Sequence, residues 1–116
     1  GLATMAYFTQ LSNLEDLQMW GNGVSNIAEV RNLTNLKELN LGNSKPQNSV
    51  HIISDITPLT NLKKLEKLYL NGNNITDVTP LLGLTNLQVL YVNDNPLSEG
   101  AVQALKNALP KCEIKF

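Results

Sequence analysis

Apolar residues along this chain fall into a frame that repeats. The unit Leu33-Thr-Asn-Leu36-Lys-Glu-Leu39-Asn-Leu41 returns as Leu84-Thr-Asn-Leu87-Gln-Val-Leu90-Tyr-Val92, and diverged copies begin at Leu11 and Leu62, so each unit reads LxxLxxLxL. The steps from Met19 to Leu41, from Leu70 to Val92 and from Val92 to Ile114 are 22 residues each, whereas Leu41 to Leu70 is 29. The segment Ile53-Ser-Asp-Ile56-Thr-Pro58-Leu59 matches Ile75-Thr-Asp-Val78-Thr-Pro80-Leu81 at one full period, which places the seven extra residues at about 45–52. A period of this length marks a solenoid, in which each coil buries its apolar face only by stacking on its neighbours.

Within a coil, the LxL segment alternates, so it predicts a short strand with Leu17 and Met19, Leu39 and Leu41, Leu68 and Leu70, or Leu90 and Val92 turned inward. Three residues after the second of these come Asn22, Asn73 and Asn95, whose carboxamides suit a buried turn between coils; Ser44 takes that place in the second repeat and predicts a weaker link there. The return leg has apolar pairs at Val24 and Ile27, Ile53 and Ile56, and Ile75 and Val78. Thr57-Pro58 and Thr79-Pro80 predict short helical or 3₁₀ starts with threonine as the capping oxygen, and Ala28-Glu29 in repeat one predicts a less well specified turn. From Ser98, an N-cap, to Pro110, a stop, Ala101, Val102, Leu105, Ala108 and Leu109 share one helical face. Cys112, Ile114 and Phe116 then alternate with Lys111, Glu113 and Lys115, predicting a fifth strand with Ile114 in the frame of Val92 and Cys112 as a core thiol.

The repeat, with its IxDIxPLxxLxxL linker, resembles the leucine-rich repeat family, in its internalin-type 22-residue bacterial subclass, from about Leu2 to Phe116. The resemblance implies an α/β solenoid: a parallel sheet of about five short strands on the concave face, 3₁₀ or short helical turns on the convex face, and a C-terminal helix-strand cap. The expected organisation is a single domain, 1–116, with a partial coil at 1–10, four repeats at 11–97 and the cap at 98–116. Leu2, Met5 and Phe8 align with Val24, Ile27 and Val30, so the chain reads as a fragment that starts mid-coil, with an open N-terminal end capable of self-association. For function, the resemblance implies a non-enzymatic protein–protein interaction module of the secreted or cell-surface kind found in bacteria. A cytoplasmic regulatory subunit, or the recognition part of a larger enzyme, are the alternatives.

Composition narrows the chemistry. The 116 residues carry 9 Lys plus Arg and 10 Asp plus Glu, a net charge of -1 that gives no broad attraction for nucleic acid. No apolar run approaches the roughly 20 residues of a membrane helix, so membrane insertion is not expected. One Cys and one His leave no multi-cysteine or paired-histidine metal site, and no cofactor is expected. Asp55 and Asp77 stand one period apart and superficially form a carboxylate pair, but a turn role in each coil explains both. Cys112 and His51 have no catalytic partner at a recognisable spacing, and no catalytic residue is assigned.

The outward strand positions are not dictated by the repeat. They run Asp16, Gln18, Trp20; Glu38, Asn40, Gly42; Lys67, Tyr69, Asn71; Val89, Tyr91, Asn93; and Lys111, Glu113, Lys115. Three of the six aromatic residues, Trp20, Tyr69 and Tyr91, fall here, and these are the residue types that dominate binding hot spots. Tyr69 beside Tyr91 also fits a cross-strand pair that merely covers the sheet. The expected partner contacts are Trp20, Tyr69 and Tyr91 with Gln18, Asn40, Lys67 and Val89 around them, and Lys45 and His51 on the insertion. Five strands spaced about 4.8 Å apart, each exposing roughly 10 Å, give only about 240 Å² of sheet. A standard interface needs about 800 Å² per partner, so the insertion or further coils would have to contribute.

Overall fold

The computed structural model describes residues 12–19, 26–43 and 52–116. Five three-residue strands form one parallel sheet in chain order: β1 Asp16–Gln18, β2 Glu38–Asn40, β3 Lys67–Tyr69, β4 Val89–Tyr91 and β5 Glu113–Lys115. Consecutive parallel strands cannot be joined by a hairpin, so each is followed by a return leg on the opposite side. These legs contain 3₁₀ turns at Ala28–Asn32, Thr57–Leu59 and Thr79–Leu81, and the ten-residue helix α1 at Glu99–Ala108.

The apolar frame lies between sheet and return legs. Leu17, Met19, Leu39, Leu41, Leu68, Leu70, Leu90 and Val92 are buried from the strands, and Ile27, Ile53, Ile56, Ile75 and Val78 are buried from the opposite wall. Burying a leucine or isoleucine side chain contributes about 1.5–3 kcal/mol, so a core assembled from one column per repeat position is the main source of stability. Val24 lies outside the described residues.

The asparagine positions bind coil to coil. Asn73 donates to the carbonyls of Leu70 and Asn71 in its own coil and Leu41 in the preceding one, and accepts from the backbone N–H of Ile53 and, with no counterpart at Asn95, from the Asn43 carboxamide. Asn95 repeats this with Val92, Asn93 and Leu70 as acceptors and the Ile75 N–H as donor. A carboxamide supplies two donors and an acceptor from one short side chain, which a serine does not. Asn22 and Ser44 lie outside the described residues. A second set, on the LTN segments, was not anticipated: Asn35 donates to the Ser12 carbonyl and Asn86 to that of Lys63, while Lys64, standing in the same place in coil three, reaches the Asn35 oxygen at 2.7 Å.

The two anchors of the long second return leg keep the frame of the other coils. Asn43 N–H donates to the Asn71 carbonyl as Gly72 N–H does to that of Asn93, and Ile53 bonds to Asn73 as Ile75 does to Asn95. Leu39 therefore still pairs with Leu68 across the 29-residue step.

Several local expectations are corrected. Ile114 pairs with Leu90, not Val92, so the last step is 24 residues; an α-helix advances about 1.5 Å per residue against about 2.0 Å for a 3₁₀ turn, and the leg that holds α1 needs more residues to return to the sheet. Lys111 consequently lies in the turn before β5 and not on the strand, and Cys112 is half-buried at the rim of the core instead of inside it. The oxygens at the Thr-Pro turns come from Asp55 and Asp77: Thr57 and Thr79 are the first residues of their turns and donate both N–H and hydroxyl to these carboxylates. The turn in repeat one has the same kind of start, with Asn26 accepting from the Ala28 N–H, and runs to five residues, the longest 3₁₀ turn among the described residues. The helix start is as expected, with the Ser98 hydroxyl accepting from Ala101 N–H at 3.1 Å.

Candidate functional site

Parallel pairing at every step aligns the outward side chains in rows across the concave face. One row is Asp16, Glu38, Lys67, Val89 and Glu113; the next is Gln18, Asn40, Tyr69, Tyr91 and Lys115. Gly42, Asn71 and Asn93, two residues further along their coils, form the start of a third.

The second row carries the aromatic pair. Tyr69 and Tyr91 meet edge to face with centroids 5.1 Å apart and an interplanar angle of 78°. The Lys115 ammonium lies 5.2 Å from the centre of the Tyr91 ring, so the end strand closes the row with a cation over an aromatic face. Both tyrosines are half-buried, which leaves them partly covered by each other and partly open to solvent.

Beside the pair is a shallow depression of about 280 Å³, walled by Tyr69, Tyr91 and Lys115 on one side and by Asn71 and Asn93 on the other, with Asn40 and Gly42 at its end. The Asn40 carboxamide oxygen accepts from the Gly42 N–H at 3.0 Å and stiffens that end. A β-carbon at Gly42 would meet the end of the Asn71 carboxamide, which would have to swing away from the depression. Asn93 donates to the Asp94 carboxylate at 3.2 Å, while its own amide oxygen is buried without a hydrogen-bond partner among the described residues.

Of the expected contact residues, the depression gathers Asn40, Tyr69 and Tyr91. Gln18 lies off its end, exposed and donating to Asp16 and Glu38 at 2.6 and 2.7 Å. Lys67, exposed, and Val89, half-buried, stand in the adjacent row. Trp20, Lys45 and His51 lie outside the described residues. Asn71, Asn93 and Lys115 were recognised in the sequence as outward-facing but not as contacts. A constant 22-residue step would set Lys115 opposite Asn93; the two-residue slip at β5 places it next to Tyr91.

The carboxylates one period apart serve their own turns. Hydrogen bonds from Thr57 and Thr79 hold Asp55 and Asp77 below the usual aspartate range, the opposite of what a general acid requires. A larger depression of about 500 Å³ on the convex side, between Ala28, Arg31, Pro58 and Asn61, includes Asp55 at its wall, already engaged by Thr57. Burial raises the Cys112 thiol above its ordinary value, with the charge of Glu113 adding to the shift. Among the described residues no group of three His, Cys, Asp or Glu side chains is placed to hold a metal ion.

The leucine-rich repeat family, in two copies, matches residues 63–107. An internalin from Listeria monocytogenes superposes with a TM-score of 0.77 and 35% identity, over 93% of this chain and 29% of that one. The chain is an internalin-like leucine-rich repeat solenoid. Internalin C2 of the same species gives 0.78 and 31%, over 97% of this solenoid and 46% of that chain. A leucine-rich repeat protein of Leptospira interrogans gives 0.80 and 33%, over 98% and 28%. The internalin-like solenoid thus spans less than half the length of each of these structures. No curated protein matches it. No helix among the described residues is long and apolar enough to cross a membrane.

Proposed function

We propose that this solenoid is a protein-binding module that engages a macromolecular partner through its concave face and performs no chemistry of its own. The observation that carries the reading is the Tyr69–Tyr91 pair: two large amphipathic rings, half-open to solvent, on a sheet whose opposite face is a fully packed core. Rings held by a rigid scaffold lose little conformational freedom on binding, which is why tyrosine recurs at hot spots. The likeness to internalins supports export to a bacterial surface as the setting in which the partner is met. The small area of five short strands calls for further contacts, for which the sequence offers the insertion at 45–52, with Lys45 and His51, and the aromatic side chain of Trp20.

The test is photo-crosslinking from p-benzoylphenylalanine at position 69, with position 60 on the convex side as control. A discrete crosslinked protein from position 69 alone supports the reading. Crosslinks from position 60 alone, or from neither, overturn it.

A further inference from the structure

The depression beside the tyrosine pair is rich in donors and carries one sign of charge. Its groups without a hydrogen-bond partner among the described residues include the Lys115 ammonium, both phenol hydroxyls and the Asn71 carboxamide, and no carboxylate lines it. Asp94 is turned to the amide of Asn93, and Glu113 stands in the neighbouring row. An ionised carboxylate is acceptor-only with about four lone-pair sites, the complement of this donor set.

A cationic guest is disfavoured by the same geometry. The ring of Tyr91 already has an ammonium 5.2 Å from its centre, so a second cation at that site would meet Lys115 instead of an open aromatic surface. A polyanion such as nucleic acid draws its affinity from many neutralised phosphates, and one lysine at the end of an aromatic row does not supply that.

We infer that this depression receives an aspartate or glutamate side chain from an extended segment of the protein partner, its carboxylate meeting Lys115 and the tyrosine hydroxyls. The inference rests on the concave face being a protein-binding surface, and adds the chemistry of what it binds.

A library of random linear peptides displayed on phage, panned on the chain and counter-selected on its Tyr91→Ala variant, tests both layers separately. The expected result is enrichment of peptides with an acidic residue at a fixed place. Replacing that residue by Asn or Gln in the synthetic peptide should weaken binding about tenfold to the parent chain but less than about twofold to Lys115→Met. Thermal melts of both variants establish that they fold. Peptides that depend on Tyr91 but show no acidic enrichment, or tolerate the amide replacement, overturn the inference and leave the protein-binding reading standing. If no Tyr91-dependent peptide is enriched, both fall.

Discussion

Gly72 packs its α-carbon directly against the carbonyl of Asn43 on the preceding coil, in the space any β-carbon would need. Its φ of +69° adds a second reason for glycine, since a left-handed backbone is unfavourable by about 1–2 kcal/mol for other residues. The contact is next to the Asn43 N–H bond to the Asn71 carbonyl, which joins the same two coils, so it sets their stacking distance at the edge of the concave face. Gly72→Ala should therefore destabilise the fold by at least about 2 kcal/mol, the left-handed strain plus a forced backbone shift. Urea denaturation followed by circular dichroism measures this. A midpoint within error of the parent would contradict it.

Asn73 and Asn95 make parallel bonds to the backbone, but Asn73 is buried and also accepts from the Asn43 carboxamide at 3.0 Å, whereas Asn95 is only half-buried. Removing a carboxamide leaves its carbonyl and N–H partners unsatisfied, each worth about 1–3 kcal/mol when buried and far less when water can reach it. Asn73→Ala is expected to lower stability by about 3 kcal/mol or more, and Asn95→Ala by clearly less. Equal losses in paired denaturant melts would show that burial is not what separates them.

The repeat frame made the strand positions, the inward leucines and the Asn73 and Asn95 bonds legible, because each is fixed by a period that the chain states several times. What it left illegible has local causes. The pairing of Ile114 with Leu90 depends on how far α1 advances per residue, which a constant 22-residue step does not encode. The start of the Ala28–Asn32 turn rests on Asn26, a carboxamide standing where the Thr-Pro coils have aspartate. In the candidate site, the aromatic positions were visible as outward residues, whereas the contribution of Lys115 emerged only with the corrected register.

Acid should weaken the convex side. Side-chain and backbone donation from Thr57 and Thr79 lowers the Asp55 and Asp77 carboxyls relative to the unfolded chain, so the ionised, bonded form stabilises the fold. For a depressed aspartate that contribution is complete above the unfolded value, about pH 4, and is lost as pH falls through the lower folded value. Asn26 shows that a carboxamide accepts the same backbone bond. The Asp55→Asn, Asp77→Asn double variant is thus expected to fold, with a flatter fall in melting temperature between pH 4 and pH 2 than the parent. Identical acid limbs in the two proteins would exclude these carboxylates as the cause.

The tyrosine pair separates packing from recognition. An edge-to-face pair adds about 0.5–1.5 kcal/mol beyond its buried area, so a double-mutant cycle of Tyr69→Ala and Tyr91→Ala should give a coupling energy in that range. Each single variant should remain cooperatively folded, because the rings lie outside the leucine core. A loss exceeding about 4 kcal/mol in either would make the rings part of the core and remove the case for a surface anchor.

The last helix and strand are bound into the same core as the repeats. Leu105 and Leu109 are buried in the cluster that holds Leu87, Leu90 and Val92, and Ala101, Ala108, Cys112 and Ile114 pack against it. Gln88 and Val92 carry the backbone link to β5, through Glu113 N–H to the Gln88 carbonyl and Val92 N–H to the Lys115 carbonyl. Deleting residues 98–116 would expose several of these apolar side chains together with an unpaired edge of β4. At about 1.5–3 kcal/mol for each large side chain, that loss is comparable with the whole stability of a domain of this size, about 5–15 kcal/mol. Unpaired strand edges also template association. The shortened protein is therefore expected to be insoluble or to lose cooperative unfolding, read by calorimetry and by dye binding to exposed apolar surface. A sharp, reversible melt near that of the parent would show that the four preceding coils stand without α1 and β5.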